Sequence, residues 1–381
     1  MSSHRQVLHN ALILQDQGLC EGLAVVLADG RIEAVLAADD PQLASIDQHL
    51  DLGGKILLPG FIDIQVNGGG GVLFNNNTSA EGLAAIAAGH RRFGTTGLLP
   101  TLISDTAERM RDAIAATREA IASGVPGILG IHLEGPYLSP ARKGTHDASV
   151  FRVPDAAAIA ADTALDNGVT LITLAPDQVP VQDIAAYVQA GAIVFAGHTA
   201  ASYEQARAGL EAGISGFTHL YNAMSQLAGR EPGVVGAALE DRDSWCGIIA
   251  DGVHVHPASL RLALASKPRG KVLLVTDAMP MVGADSPSFD LYGETITEVD
   301  GVVRNAAGAL AGSALDMATA VRNSVAFLGV DLAEAARMAS TYPAQCIGLG
   351  DRLGRIAPGY QADLVLIDAD VQVQRTWIAG V

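Results

Sequence analysis

Apolar residues recur along the middle of this chain in two alternating rhythms. Short, nearly unbroken runs read as buried strands: FIDIQV (61–66), GLLP (97–100), GILGIHL (127–133), VTLITL (169–174), AIVFAG (192–197), GFTHL (216–220), CGIIA (246–250) and KVLLVT (271–276). Between most of them the apolar spacing changes to three and four. Leu83, Ile86, Ala87, His90 and Phe93 share one helical face, and Met110, Ile114, Thr117 and Ile121 share another. Gly94, Gly124 and Gly168 read as helix stops. Eight strands with intervening helices predict an α/β fold, a (β/α)8 TIM barrel, whose active site gathers at the C-terminal ends of the strands. A doubly wound open sheet is the alternative, but the chain carries neither a GxGxxG fingerprint nor a GxxxxGK[ST] loop.

The two ends have a different character. VLHNALILQDQG, GLAVVLADGRIEAVLAAD and HLDLGGKILLPG alternate short apolar runs with turn signals, including a hairpin turn at Asp29-Gly30. GRIAPGYQADLVLIDADVQVQRTWIAG repeats that character at the other end. Neither piece is long enough to enclose a core alone, so residues 1–57 and 350–381 are expected to share one small β domain, leaving 58–349 to the barrel. Residues 280–311 are long and turn-rich, a lid or insertion ahead of the helices in GSALDMATAVRNSVAFLG and LAEAARMASTYPAQCIGL.

Composition narrows the function classes. With 49% hydrophobic and 17% charged residues, the chain is expected to be globular with a large core. Its 41 acidic against 24 basic residues give a net charge of -17, which argues against non-specific binding to nucleic acid or an anionic membrane. Any anionic ligand must therefore meet locally placed positive groups. No apolar run reaches the length of a membrane span, and the opening residues lack the pattern of a secretory leader, so a cytoplasmic location is expected. Cys20, Cys246 and Cys346 are widely separated and read as buried thiols, not as bridges or ligands.

Chemistry-bearing residues fall repeatedly at the ends of the predicted strands. Gln65 and Asn67 close the first, Glu134 the third, His198 the fifth and His219 the sixth; His254 and His256 follow the seventh, and Asp277 ends the eighth. In a barrel these positions converge on one rim. Glu134, His198 and His219 offer one oxygen and two nitrogens, a set suited to a catalytic zinc that keeps a position open for water. A structural pairing of the same three residues is the alternative. Asp277 suits proton transfer to and from such a site, or else the cap of a helix. His146 follows a polar loop and is placed to donate to a developing oxyanion, or to stay solvated. Asn222, backbone N–H groups near Ala223, Arg230 and His254 can form a phosphate pocket, although Arg230 can equally pair with Glu231 or Asp241 on the surface. His132 fits a core histidine or a supporting residue, and His256 a helix start. The glycine run at 68–71 allows close ligand approach or a flexible loop.

LPGFIDIQVNG, HLEGPYL, KGTH, GHT, THLYNAM, GREPG, IIADGVH, VTDAM and LAGSALDMATAVRN occur in this order, and over essentially its whole length the chain resembles the N-acetylglucosamine-6-phosphate deacetylases of the amidohydrolase superfamily. That resemblance implies a barrel with a small β-sandwich formed by both termini. It implies Glu134, His198 and His219 as ligands of one divalent ion, Asp277 as base and then acid, and His146 as a donor to the substrate carbonyl. Asn222, Ala223, Arg230 and His254 would hold the phosphate of an N-acetylated amino sugar. It further implies a homodimer in which Arg230 reaches across the interface. Many superfamily members carry His-x-His at the end of the first strand for a second metal ion. Here Gln65-Val66-Asn67 stands in that place, a vestigial second site, and amides bind divalent metals weakly beside imidazole, so one ion is expected. Zinc suits the set, although iron or cobalt occupies similar ligands. The galactosamine epimer, or a cyclic amide, remains an alternative substrate.

Overall fold

The computed structural model describes residues 5–381, so the first four residues of the expected terminal domain lie outside the described residues. Eight parallel strands stand side by side in chain order: β1 (Phe61–Val66), β2 (Thr95–Ile103), β3 (Gly130–Glu134), β4 (Val169–Leu174), β5 (Ile193–Ala196), β6 (Gly216–Phe217), β7 (Trp245–Ile248) and β8 (Val272–Leu274). Each overlaps one of the predicted apolar runs. Strands covered on both faces have no polar side to show, and β1, β2 and β3 are buried at every position.

The circle closes just beyond β8. Val66 bridges Ala278, the Asp277 N–H donates to the Gln65 carbonyl at 3.0 Å, and the Asn67 N–H donates to the Ala278 carbonyl at 2.9 Å. A doubly wound sheet has open edges, so this closure excludes it. The buried Asp63 carboxylate ties the same seam, accepting the Thr276 hydroxyl at 2.5 Å and the backbone N–H groups of Gln65 and Thr276. Burial pushes its pKa up to about 7 against those hydrogen bonds.

Both termini contribute to a separate seven-stranded mixed sheet. Its long strand Gln48–Pro59 runs parallel to Gln6–Gln15 on one side and antiparallel to Leu364–Ile367 on the other. The expected hairpin turns at Asp29 and Gly30, both at positive φ, the requirement of a type I′ turn. Leu8, Ile13, Ile32, Leu57, Leu364 and Trp377 pack together in the core of this sheet.

Residues 280–311 form an anchored insertion. Strands Ser288–Leu291, Glu294–Val299 and Val302–Arg304 make a small antiparallel sheet, and Leu291, Ile296 and Val303 pack with Leu73, Ile103 and Met279. Two glycine expectations change. Gly168 stops no helix, because the helix Ala156–Asp162 ends well before it; space is what demands glycine there, since a Cβ would lie 2.7 Å from the Ile121 Cδ1 atom and 3.1 Å from the Gly130 Cα atom. The glycine run after β1 is ordered, with Gly68–Gly69 pairing with Val72–Leu73 and the N–H groups of Gly70 and Gly71 donating to the carbonyls of Val282 and Pro280. Among the described residues, no helix is long and apolar enough to cross a membrane.

Candidate active site

The strand ends surround a cavity of about 570 Å3, within the usual range for a small-molecule site. Asn67, Glu134, His146, His198, His219, Asn222, Ala223, His254 and Asp277 line it. Glu134 is the last residue of β3, whereas His198, His219 and Asp277 stand just beyond β5, β6 and β8, with φ of +47°, +32° and +53° respectively. Non-glycine residues adopt this region at a cost of about 1–2 kcal/mol each, so the surrounding contacts must hold all three in place.

Glu134, His198 and His219 converge. The Glu134 Oε1 atom lies 3.0 Å from His219 Nε2 and 3.3 Å from His198 Nε2, and the two Nε2 atoms are 3.1 Å apart. His198 Nδ1 lies 2.9 Å from the Arg142 carbonyl, which can only accept, so the proton belongs on Nδ1 and the Nε2 lone pair is bare. Buried lone pairs gathered at this separation repel unless a cation or a proton lies between them. Ligands about 2.0–2.1 Å from a tetrahedral ion stand about 3.3 Å from one another, so the three donors fit a divalent ion. Burial opposes ionisation of Glu134, yet positive charge shared with His198 and His219 outweighs it and holds the carboxyl well below its usual range.

Gln65 and Asn67 serve the carboxylates beside that centre. Gln65 Nε2 donates to Glu134 Oε1 at 3.2 Å and to Asp277 Oδ1 at 3.3 Å, while Asn67 Nδ2 donates to Asp277 Oδ1 at 2.6 Å. Among the described residues, Glu134, His198 and His219 are the one cluster of acidic, histidine or cysteine side chains with metal-binding geometry. Asp277 caps no helix. Burial, and then the nearby Glu134 charge, raise its pKa. Burial pushes the His146 imidazole well below its ordinary value. Its ring centre lies 4.4 Å from that of His198.

Elsewhere on the cavity wall, His254 Nδ1 is 2.6 Å from the Asp251 carboxylate, leaving the other ring nitrogen for the cavity. Asn222 Nδ2 donates to the His219 carbonyl, and Ala223 has a φ of +49°. Arg230 does not line the cavity; it is exposed. Neither expected surface partner takes its guanidinium, because Glu231 accepts the N–H groups of Tyr203 and Gly233 while Asp241 faces Arg207. His132 is a core histidine between Thr101 and Thr173, held neutral by burial at a pKa of about 4. His256 caps the helix Pro257–Ser266, accepting the Ala258 N–H on its ring.

Sequence reasoning missed Ser104, whose backbone and hydroxyl both meet His146, and Asp251, which orients His254. Asp251 left a signal in ADGVH, three residues ahead of the histidine. Ser104 left one only if β2 is extended past Pro100.

The amidohydrolase family pattern matches residues 56–381. An N-acetylgalactosamine-6-phosphate deacetylase from Shewanella sp. strain ANA-3 is 43% identical, covering 98% of this chain and 95% of the relative. An N-acetylglucosamine-6-phosphate deacetylase from Haemophilus influenzae is 37% identical over 99% of this chain and 98% of its own. The crystal structure of the N-acetylglucosamine-6-phosphate deacetylase from Pasteurella multocida superposes with a TM-score of 0.94 at 38% identity, covering 99% of this chain and 98% of that one.

Proposed function

We propose that this chain, which belongs to the amidohydrolase family, hydrolyses the acetamide of N-acetyl-D-glucosamine 6-phosphate to D-glucosamine 6-phosphate and acetate. The observation that carries the reading is the meeting of a Glu-His-His centre with Asp277 and His146 at one cavity mouth. A divalent ion, zinc by the preference of this donor set, acidifies a water and polarises a carbonyl when held there. Asp277 removes a proton from the attacking water, close to Glu134 because one Gln65 amide reaches both carboxylates. His146 donates to the carbonyl oxygen as negative charge develops on it. Asp277 returns its proton to the nitrogen, so a neutral amine leaves in place of a strongly basic anion.

The phosphate reading is supported by Asn222, the backbone at Ala223 and His254, which share the cavity with the centre. Arg230 joins them in this proposal from the neighbouring subunit of a homodimer, which accounts for an exposed arginine that neither Glu231 nor Asp241 pairs. Arg230→Ala is expected to weaken the phosphorylated substrate by about 2–5 kcal/mol, the cost of removing a charged partner from a desolvated pair. Steady-state kinetics with and without the phosphate check this: a loss confined to the phosphorylated substrate is expected, and equal losses would refute it.

The 43% identity to the Shewanella N-acetylgalactosamine-6-phosphate deacetylase favours a second reading in which the substrate is the galacto epimer. Acetate release measured in parallel on both 6-phosphates decides between them. Higher kcat/KM on the gluco compound is expected, and a preference for the galacto compound would replace the first reading by the second.

A further inference from the structure

His146 is useful as an oxyanion donor only when its proton sits on the nitrogen facing the substrate, and an imidazole has two choices. The backbone N–H of Ser104 approaches His146 Nδ1 at 3.2 Å, and the Ser104 hydroxyl lies 2.8 Å from the same nitrogen. A backbone N–H can only donate, so Nδ1 is the acceptor and the proton of the neutral ring belongs on Nε2. Both hydrogen bonds of the ring fall on Nδ1, which leaves Nε2 for the cavity that His146 lines.

Ser104 is itself tightly placed. It is 1% exposed, immediately after β2, and its hydroxyl also approaches the Glu134 carbonyl at 3.4 Å. Glycine stands opposite it at 135, where an added Cβ would lie 2.3 Å from the Ser104 Oγ atom and where φ is +85°. From another direction the Tyr292 hydroxyl, on the turn of the small inserted sheet, donates to the Ser104 carbonyl at 2.6 Å.

We propose that Ser104 is a positioning residue that fixes His146 as an Nε2–H donor, and that Tyr292 ties the inserted sheet to this arrangement. The inference rests on the deacetylase reading for its effect on turnover, but the tautomer it assigns does not depend on which acetamide is cleaved. The inserted sheet then holds the end of β2 from outside the barrel.

The test combines a measurement on the unaltered enzyme with a double-mutant cycle. In metal-loaded protein labelled with 15N-histidine, with His146 assigned by its disappearance in His146→Ala, Nε2 should carry the proton and Nδ1 should be bare. In the unaltered background Ser104→Ala should lower kcat roughly 3- to 10-fold, the worth of about one hydrogen bond, with KM little changed. Tyr292→Phe should lower kcat in the same direction. In the His146→Ala background Ser104→Ala should have less than about a 2-fold effect, because a positioning residue has nothing left to position. A proton on Nδ1, or an equal Ser104→Ala loss in both backgrounds, would overturn the proposal. Absence of acetate release by the unaltered enzyme would instead overturn the deacetylase reading, while the tautomer remained readable.

Discussion

Asp277→Asn is expected to lower kcat by about 10²–10⁴ while leaving metal content at the level of the unaltered enzyme. Asparagine keeps the size of the side chain but can neither take a proton from water nor return one to nitrogen. The three converging donors are Glu134, His198 and His219, so this exchange removes none of them. KM should change much less than kcat, because the lost interaction belongs to proton transfer and not to holding the sugar. Metal analysis and steady-state kinetics on the same preparation make the check. A near-normal kcat in metal-replete protein would remove Asp277 from the proton-transfer role.

The second large effect is expected from the centre itself. His219→Ala deletes one of three donors, leaving two groups that no longer enclose the ion. The ion's contributions, an acidified water and a polarised carbonyl, amount to several kcal/mol, so kcat should fall by roughly 10³ or more. The metal bound after exhaustive dialysis should fall with it. Independent of activity, removing the ion from the unaltered protein should lower its thermal midpoint, because a ligand that binds only the folded state stabilises it by mass action. Activity retained by His219→Ala with no bound metal would contradict the assignment.

Much of this site is legible in the sequence because strand ends are informative. All eight apolar runs are barrel strands, and Glu134, His198, His219 and Asp277 fall at or just beyond the ends of theirs. What stays hidden is set by contacts between distant segments. The apolar pattern ends the second strand at Pro100, since proline removes a ladder hydrogen bond, yet β2 runs on to Ile103 and delivers Ser104 to the rim. The amides at the end of β1, Gln65 and Asn67, suggest the remnant of a metal site, while their observed role as donors to Glu134 and Asp277 depends on those carboxylates arriving from β3 and the end of β8. Residues 280–311 show only turn signals, and their order comes from burying Leu291, Ile296 and Val303 against Leu73 and Ile103, far earlier in the chain. Arg230 illustrates the opposite limit: its motif points to a ligand, and one chain alone leaves it exposed outside the cavity.

The central claim is that one divalent ion, held by Glu134, His198 and His219, serves amide hydrolysis beside Asp277. Titrating zinc into the metal-stripped enzyme while following acetate release from an N-acetylated amino-sugar 6-phosphate tests it most directly. Activity should be absent at the start, rise linearly and break at one ion per chain. Turnover by the stripped enzyme, or a break at two ions per chain, would contradict it.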